Sequence, residues 1–122
     1  MATRSIILSH NIYQDSYRFI YVHNDGDLHY ETLVRHWNCR KRANRLVSMG
    51  DLMSLRSDGS VLPYYWDEPS TRKVKFLVNV KIAITQNFPN IEYVYIYENS
   101  WKKYDIENFL KQGENKWEQA NL

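Results

Sequence analysis

Ile91 to Glu98 alternates with a period of two, placing Tyr93, Tyr95 and Tyr97 on one side and Val94 and Ile96 on the other. Tyr17 to His23 does the same, with Tyr17, Phe19, Tyr21 and His23 on one side and Arg18, Ile20 and Val22 on the other. Side chains flip face at every residue of a strand, so two such runs oblige the chain to build a sheet. Each has a strand-like neighbour within reach of a turn. Ser5 to Ser9 precedes Tyr17 to His23 through the polar segment Asn11 to Ser16, and Trp101 to Ile106 follows Ile91 to Glu98 through Asn99-Ser100. An antiparallel hairpin is expected at each end of the chain.

Between the hairpins the period changes. Asn24-Asp25-Gly26-Asp27 is a tight turn, because its Asp-Gly pair favours positive backbone dihedrals. From Tyr30 on, Leu33, Val34 and Trp37 follow helical spacing, and Ala43, Leu46 and Val47 repeat it within Arg40 to Met49, with Gly50 as the stop. Two short helices, or one broken near Asn38, both fit. Asp51 is read as the cap of a third short turn, Leu52 to Leu55, and Arg56 to Ser60 as an exposed loop. Val61 to Trp66 reads as a strand, Asp67 to Thr71 as a polar turn and Lys73 to Val78 as a short strand. Asn79 then caps a helix to about Phe88, although the β-branched Val80, Ile82 and Ile84 suit a strand as well. The tail from Glu107 is a docked helix or a frayed end. The expected fold is therefore α+β, with residues 1–106 as a single domain and 107–122 as a C-terminal tail.

A chain of 122 residues with 43% hydrophobic and 25% charged residues can bury one core without disulfides. Cys39 stands alone, so no intramolecular disulfide or cysteine zinc site can form, and its expected place is as a small buried residue. Neither a membrane-spanning run nor a secretion signal is apparent, which leads to the expectation of a cytoplasmic protein. A net charge of +2 argues against duplex nucleic acid as the partner.

That charge is nevertheless concentrated. Arg35, Arg40, Lys41, Arg42 and Arg45 fall between Thr32 and Gly50 with no acidic residue among them. On a continuous helix Arg35, Arg42 and Arg45 would share a stripe able to grip phosphate, and the competing reading is a solvated helix face. His29 and His36 are seven apart, which does not suit a metal, and no phosphate loop, metal box or cofactor motif is present. Binding is expected rather than catalysis. The Tyr93, Tyr95, Tyr97 ladder with Trp101 and Tyr104 reads as sheet core or a subunit contact, and base stacking is the sharper alternative. Tyr64-Tyr65-Trp66 before Asp67-Glu68 forms a second aromatic group at a turn.

The succession Phe19-Ile20-Tyr21-Val22-His23-Asn24-Asp25-Gly26, then Thr32-Leu33, then Leu46-Val47-Ser48-Met49-Gly50-Asp51-Leu52-Met53-Ser54-Leu55, resembles the phage anti-Thoeris sponge family. The likeness continues through Tyr64-Tyr65-Trp66-Asp67 and Glu92-Tyr93-Val94-Tyr95-Ile96-Tyr97, covering about residues 4 to 106. It implies an oligomer, without cofactor, that sequesters a cyclic nucleotide immune signal, a cyclic ADP-ribose isomer or a cyclic oligonucleotide, and leaves it intact inside the infected bacterium. Where the family reads His-Trp-Asp-Gly-Tyr-Pro, this chain has His23-Asn24-Asp25-Gly26-Asp27-Leu28, and Trp66 and Pro69 stand where arginines flank an Asp. The expected ligand contacts are Asn24 and Asp25 at the first turn, Tyr65, Trp66 and Asp67 at the second, and Arg42 for phosphate. The rival expectation is an inhibitor that binds a host defence protein, in the manner of an anti-CRISPR.

Overall fold

The structure is a computed structural model that describes residues 3–11, 13–14, 16–64 and 71–112. Among the described residues the fold is α+β, a seven-stranded sheet with helices on both faces. β1 (Arg4–Asn11) and β2 (Ser16–Val22) form the first hairpin, in antiparallel register from Ser5↔Val22 to Asn11↔Ser16. β6 (Ile91–Tyr97) and β7 (Trp101–Asp105) form the second, and β6 lies parallel to β1, joining the two ends of the chain at the sheet centre. The hairpins stand where the two-residue period places them.

The segment after β2 breaks into α1 (His29–His36) and α2 (Arg40–Val47), the two-helix alternative. Cys39 separates them. It is exposed rather than buried, and its Sγ accepts the Arg42 backbone N–H at 3.4 Å as the N-cap of α2. An end that needs an acceptor thus takes the thiol, and the expectation of a small buried residue fails there.

Leu52 to Leu55 is a strand, β3, not a capped turn. It runs parallel to β2 at Val22↔Leu52, and the His23 and Asn24 amides continue the ladder to the carbonyls of Leu52 and Met53. The Asp51 carboxylate, free of any capping duty, accepts the Tyr21 amide at 2.9 Å and holds Arg72. β4 (Val61–Pro63) pairs with β3, and β5 (Arg72–Val74) pairs with the first half of β2. One edge of β2 therefore has two partners, β5 on Tyr17 to Phe19 and β3 on Val22, with Asp51 bonded to the amide between them.

In the segment where helix and strand competed, α3 (Leu77–Asn87) is helical, but Phe76 is its N-cap and Asn79 lies inside its first turn. The strand before it ends at Val74, short of the expected Val78. α4 (Ile106–Lys111) buries Phe109 and is capped by Asp105, which accepts the Asn108 amide at 2.8 Å.

Alternation along each strand feeds two cores. Ile7, Ile20, Val22 and Tyr95 meet Leu33, Ala43, Leu46 and Val47 of α1 and α2. Ile6, Leu8, Phe19, Val94 and Ile96 meet Val80 and Ile84 of α3 and Phe109 of α4. Each aliphatic side chain removed from water here contributes about 1.5–3 kcal/mol, so both faces of the central strands stabilise the fold. Among the described residues no helix is long and apolar enough to cross a membrane.

Candidate functional site

The tyrosine ladder reaches the turn after β2. The buried Tyr95 hydroxyl donates to the Gly26 carbonyl at 2.5 Å and accepts the His29 amide at 3.2 Å. His29 closes the same turn from inside: its Nε2 lies 3.0 Å from the Asn24 carbonyl, and because a carbonyl only accepts, Nε2 carries the proton. Burial pushes the His29 imidazole below its ordinary pKa, the Asn24 bond opposing this, and burial pushes the Tyr95 phenol well above its own. From the strand beyond, Lys103 Nζ donates to the Asp27 carbonyl at 2.6 Å.

Gly26 is needed for close approach. A Cβ there would lie 2.8 Å from the Thr3 carbonyl oxygen and 2.9 Å from Ser5 Cβ, while its amide donates to that same oxygen. The left-handed conformation falls on Asp25, with φ 57. A short aspartate tolerates this dihedral, and the turn thereby presents an exposed carboxylate on a backbone tied down on both sides.

The turn forms one wall of a cleft of about 490 Å³ at the carboxyl ends of the parallel pair β2 and β3. Asp25, Leu28, His29 and Thr32 line it from the turn and α1, and Ser54, Leu55, Arg56, Ser57 and Asp58 from β3 and the bend after it. Leu28 stands at the α1 N-cap without a side-chain capping bond; the Tyr95 hydroxyl takes the first amide of the helix, that of His29, and Glu31 stands in the first turn. Across the cleft, Arg56 supplies a full positive charge. The Ser60 hydroxyl and amide beside Asp58 hold its carboxyl below the usual range, so Asp58 is an anion at neutral pH. The walls thus set one guanidinium able to bond phosphate among hydroxyls and carboxylates suited to ribose hydroxyls or amino edges.

The other face of the sheet carries an aromatic group at the same end of β2. Tyr21 stacks on Phe88 at 5.4 Å, and Tyr64 meets His23 edge-on at 5.5 Å and Tyr21 at 5.9 Å. The Tyr21 hydroxyl and His23 Nδ1 are 2.7 Å apart.

Of the residues singled out from sequence, Asp25 lines the cleft. Asn24 serves the turn with its backbone, its carbonyl bonded to His29 and its amide to Met53. Arg42 is exposed on α2 with Nη1 3.2 Å from the His36 carbonyl, and it does not line the cleft. Tyr65, Trp66 and Asp67 lie outside the described residues; Tyr64, immediately before them, belongs to the aromatic group.

The basic stretch does not form one stripe, because Arg35 lies on α1 and Arg42 and Arg45 on α2. Arg35 pairs with Glu31 at 3.0 Å. Arg40 ties α2 to the sheet, donating to the His10 carbonyl at 2.8 Å and the Glu98 carbonyl at 2.5 Å. Sequence reasoning missed Thr32 and Arg56 as cleft residues. The available signal was the Asp58-Gly59 bend next to Arg56, which returns the chain over α1: the Trp37 indole donates to the Gly59 carbonyl at 3.2 Å.

Among the described residues no group of three or more His, Cys, Asp or Glu is placed to hold a metal ion. Comparison with protein-family models, with curated proteins and with solved structures gives no match to the chain.

Proposed function

We propose that this protein is a binder rather than an enzyme, sequestering a small cyclic nucleotide in the cleft between the Asp25 turn and Arg56. The carrying observation is the cleft itself: about 490 Å³, with an arginine facing carboxylates and hydroxyls. Such walls suit a ligand that joins phosphates to ribose, and the volume suits a nucleotide rather than a free anion. The resemblance to phage sponge proteins points the same way, and within this reading the protein acts against a bacterial signalling defence as a homo-oligomer.

Holding the ligand unchanged asks only for complementarity. Arg56 bonds phosphate, Thr32, Ser54 and Ser57 bond hydroxyls, and Asp25 accepts from a sugar or amino edge. The turn is already fixed by Tyr95 and His29, so little ordering cost remains to be met on binding.

The experiment is calorimetry with cyclic ADP-ribose isomers and cyclic di- and trinucleotides, followed by heating the complex and analysing what is released. Saturable binding with the ligand recovered unaltered is the expected result. Arg56→Ala should weaken it by roughly 10- to 100-fold, the loss of one charge-assisted contact. Altered ligand would replace the reading with an enzyme. No binding to any of the panel would overturn it.

A second reading has its own observation. Phe76, Val78 and Ile82 stand exposed around α3, an apolar surface suited to a protein partner. A host defence protein retained stoichiometrically from lysate, and lost in Ile82→Asp, would favour that inhibitor reading.

A further inference from the structure

β7 closes one end of the sheet. The strand order runs β4-β3-β2-β1-β6-β7, so among the described residues β7 pairs with β6 alone and its other side is open. Alternate residues of an antiparallel strand turn their N–H and C=O groups to opposite sides, so every second residue of Trp101–Asp105 presents an unused donor and acceptor outward. Such an edge is a template for another extended chain.

A hollow of about 580 Å³ follows this edge, lined by Tyr30, Trp101, Lys102, Lys103 and Tyr104. Four of these are consecutive on one strand, so their side chains go alternately to the two faces of the sheet. The register with β6 assigns them. Trp101 and Lys103 stand opposite Tyr97 and Tyr95 on the α1 face, and Lys102 and Tyr104 opposite Ile96 and Val94 on the α3 face. A hollow bordered by both faces of one strand runs along its backbone edge rather than over either surface.

The two faces of the edge differ in chemistry. Beside the α1 face, Tyr30 and Val34 lie four apart on one stripe of the helix, 45% and 37% exposed. Lys103 on that face is already engaged, its Nζ bonded to the Asp27 carbonyl at 2.6 Å and 4.7 Å from the Tyr93 ring centroid. On the α3 face Lys102 is exposed, and its ammonium has no hydrogen bond or ion pair with another described residue. The acidic residue of the same strand, Asp105, is occupied in capping α4.

We propose that β7 is a docking edge for an extended segment of a partner protein that alternates acidic and apolar residues, added as an eighth strand. Backbone bonds to the outward groups of β7 set its register, its acidic side chains meet Lys102, and its apolar ones fall on Tyr30 and Val34. Charge decides between occupants. A second copy pairing antiparallel through its own β7 about Lys103 sets Lys103 against Lys103 and brings both Lys102 side chains to one face, four ammonium groups in one short ladder. Lysine at an edge guards against such self-pairing, and the same charge selects an acidic strand. The edge is separate from the cleft, whose strands β2 and β3 lie beyond β1 and β6.

The test adds a synthetic peptide, Glu-Val-Glu-Val-Glu-Val-Glu blocked at both ends, to the full chain and follows backbone amides by NMR and hydrogen exchange. In the free protein alternate β7 amides should exchange fast. The peptide should shift the β7 signals saturably and slow those alternate amides by roughly tenfold. Lys102→Glu should weaken the peptide by about tenfold, and a peptide with lysine for every glutamate should then bind this variant better than the native chain. No shift in β7, or equal shifts with the glutamate and lysine peptides, overturns the proposal. So does protection of the β7 amides without peptide: if it falls on dilution the edge belongs to a second copy, and if it does not the edge is already covered. None of these outcomes touches the cleft reading.

Discussion

The Asp51 carboxylate and the Arg72 guanidinium meet through two parallel bonds, Nη1 to Oδ1 at 2.7 Å and Nη2 to Oδ2 at 3.0 Å. Oδ1 also accepts the Tyr21 amide at 2.9 Å, so one side chain holds the edge of β2 between its two partners. The guanidinium in turn lies over the Phe88 ring at 4.7 Å, adding an aromatic face to the pair.

Asp51→Ala should destabilise the fold by about 2–3 kcal/mol, below the range for a fully buried pair because Arg72 is a third exposed. Urea denaturation checks this. A loss under half a kcal/mol would mean that water serves Tyr21 and Arg72 equally well.

Tyr95→Phe removes only a hydroxyl, yet leaves the Gly26 carbonyl and the His29 amide without that partner. The expected cost is about 1–3 kcal/mol. Amide hydrogen exchange locates it: the His29 amide should lose protection while Ile7 and Ile20 in the central hairpin keep theirs.

Stability should fall on mild acidification. The His29 pKa in the folded protein lies below the ordinary 6.5, so under acid the unfolded chain takes up a proton that the folded one refuses. The contribution is complete above 6.5 and is lost as pH falls through the lowered folded value. His29→Gln, which keeps a side-chain donor for the Asn24 carbonyl, should flatten the melting temperature across that interval. An unchanged slope would assign the acid sensitivity elsewhere.

Gly26→Ala tests close approach separately from dihedral strain, since the left-handed residue of this turn is Asp25. The added methyl meets the Thr3 carbonyl oxygen and Ser5 Cβ inside contact distance, and both belong to the start of β1. A destabilisation of about 1–3 kcal/mol is expected, as for overpacking of a filled core. Asp25→Gly, which relieves the strained dihedral, should raise stability slightly in the same assay.

The hairpins were legible because four of the strands repeat a two-residue pattern or flank one that does. β3 was not, because Leu-Met-Ser-Leu is too short to show a period and Asp51 before it resembles a helix cap; its state is set by pairing with a strand thirty residues earlier, Val22↔Leu52. The same holds for the site. Asp25 is readable from a local Asp-Gly turn, whereas Arg56 faces it only because β3 lies beside β2. Local charge likewise says nothing of distant acceptors: Arg40 stands in the basic run, but the carbonyls of His10 and Glu98 claim it.

β1 and β2 share a full ladder, but β3 joins β2 at the single register pair Val22↔Leu52, extended by two backbone bonds and the Asp51 carboxylate. The Asp25 wall of the cleft belongs to the firmly laddered part of the sheet, and the Arg56 wall is carried by β3. Within the sheet the jaws of the cleft are thus joined narrowly, with the Trp37 bond to the Gly59 carbonyl as a second tie through α1. A molecule bridging Asp25 and Arg56 would act as a clasp across it, and the grip of the protein on its guest and the cohesion of its own sheet would rise together.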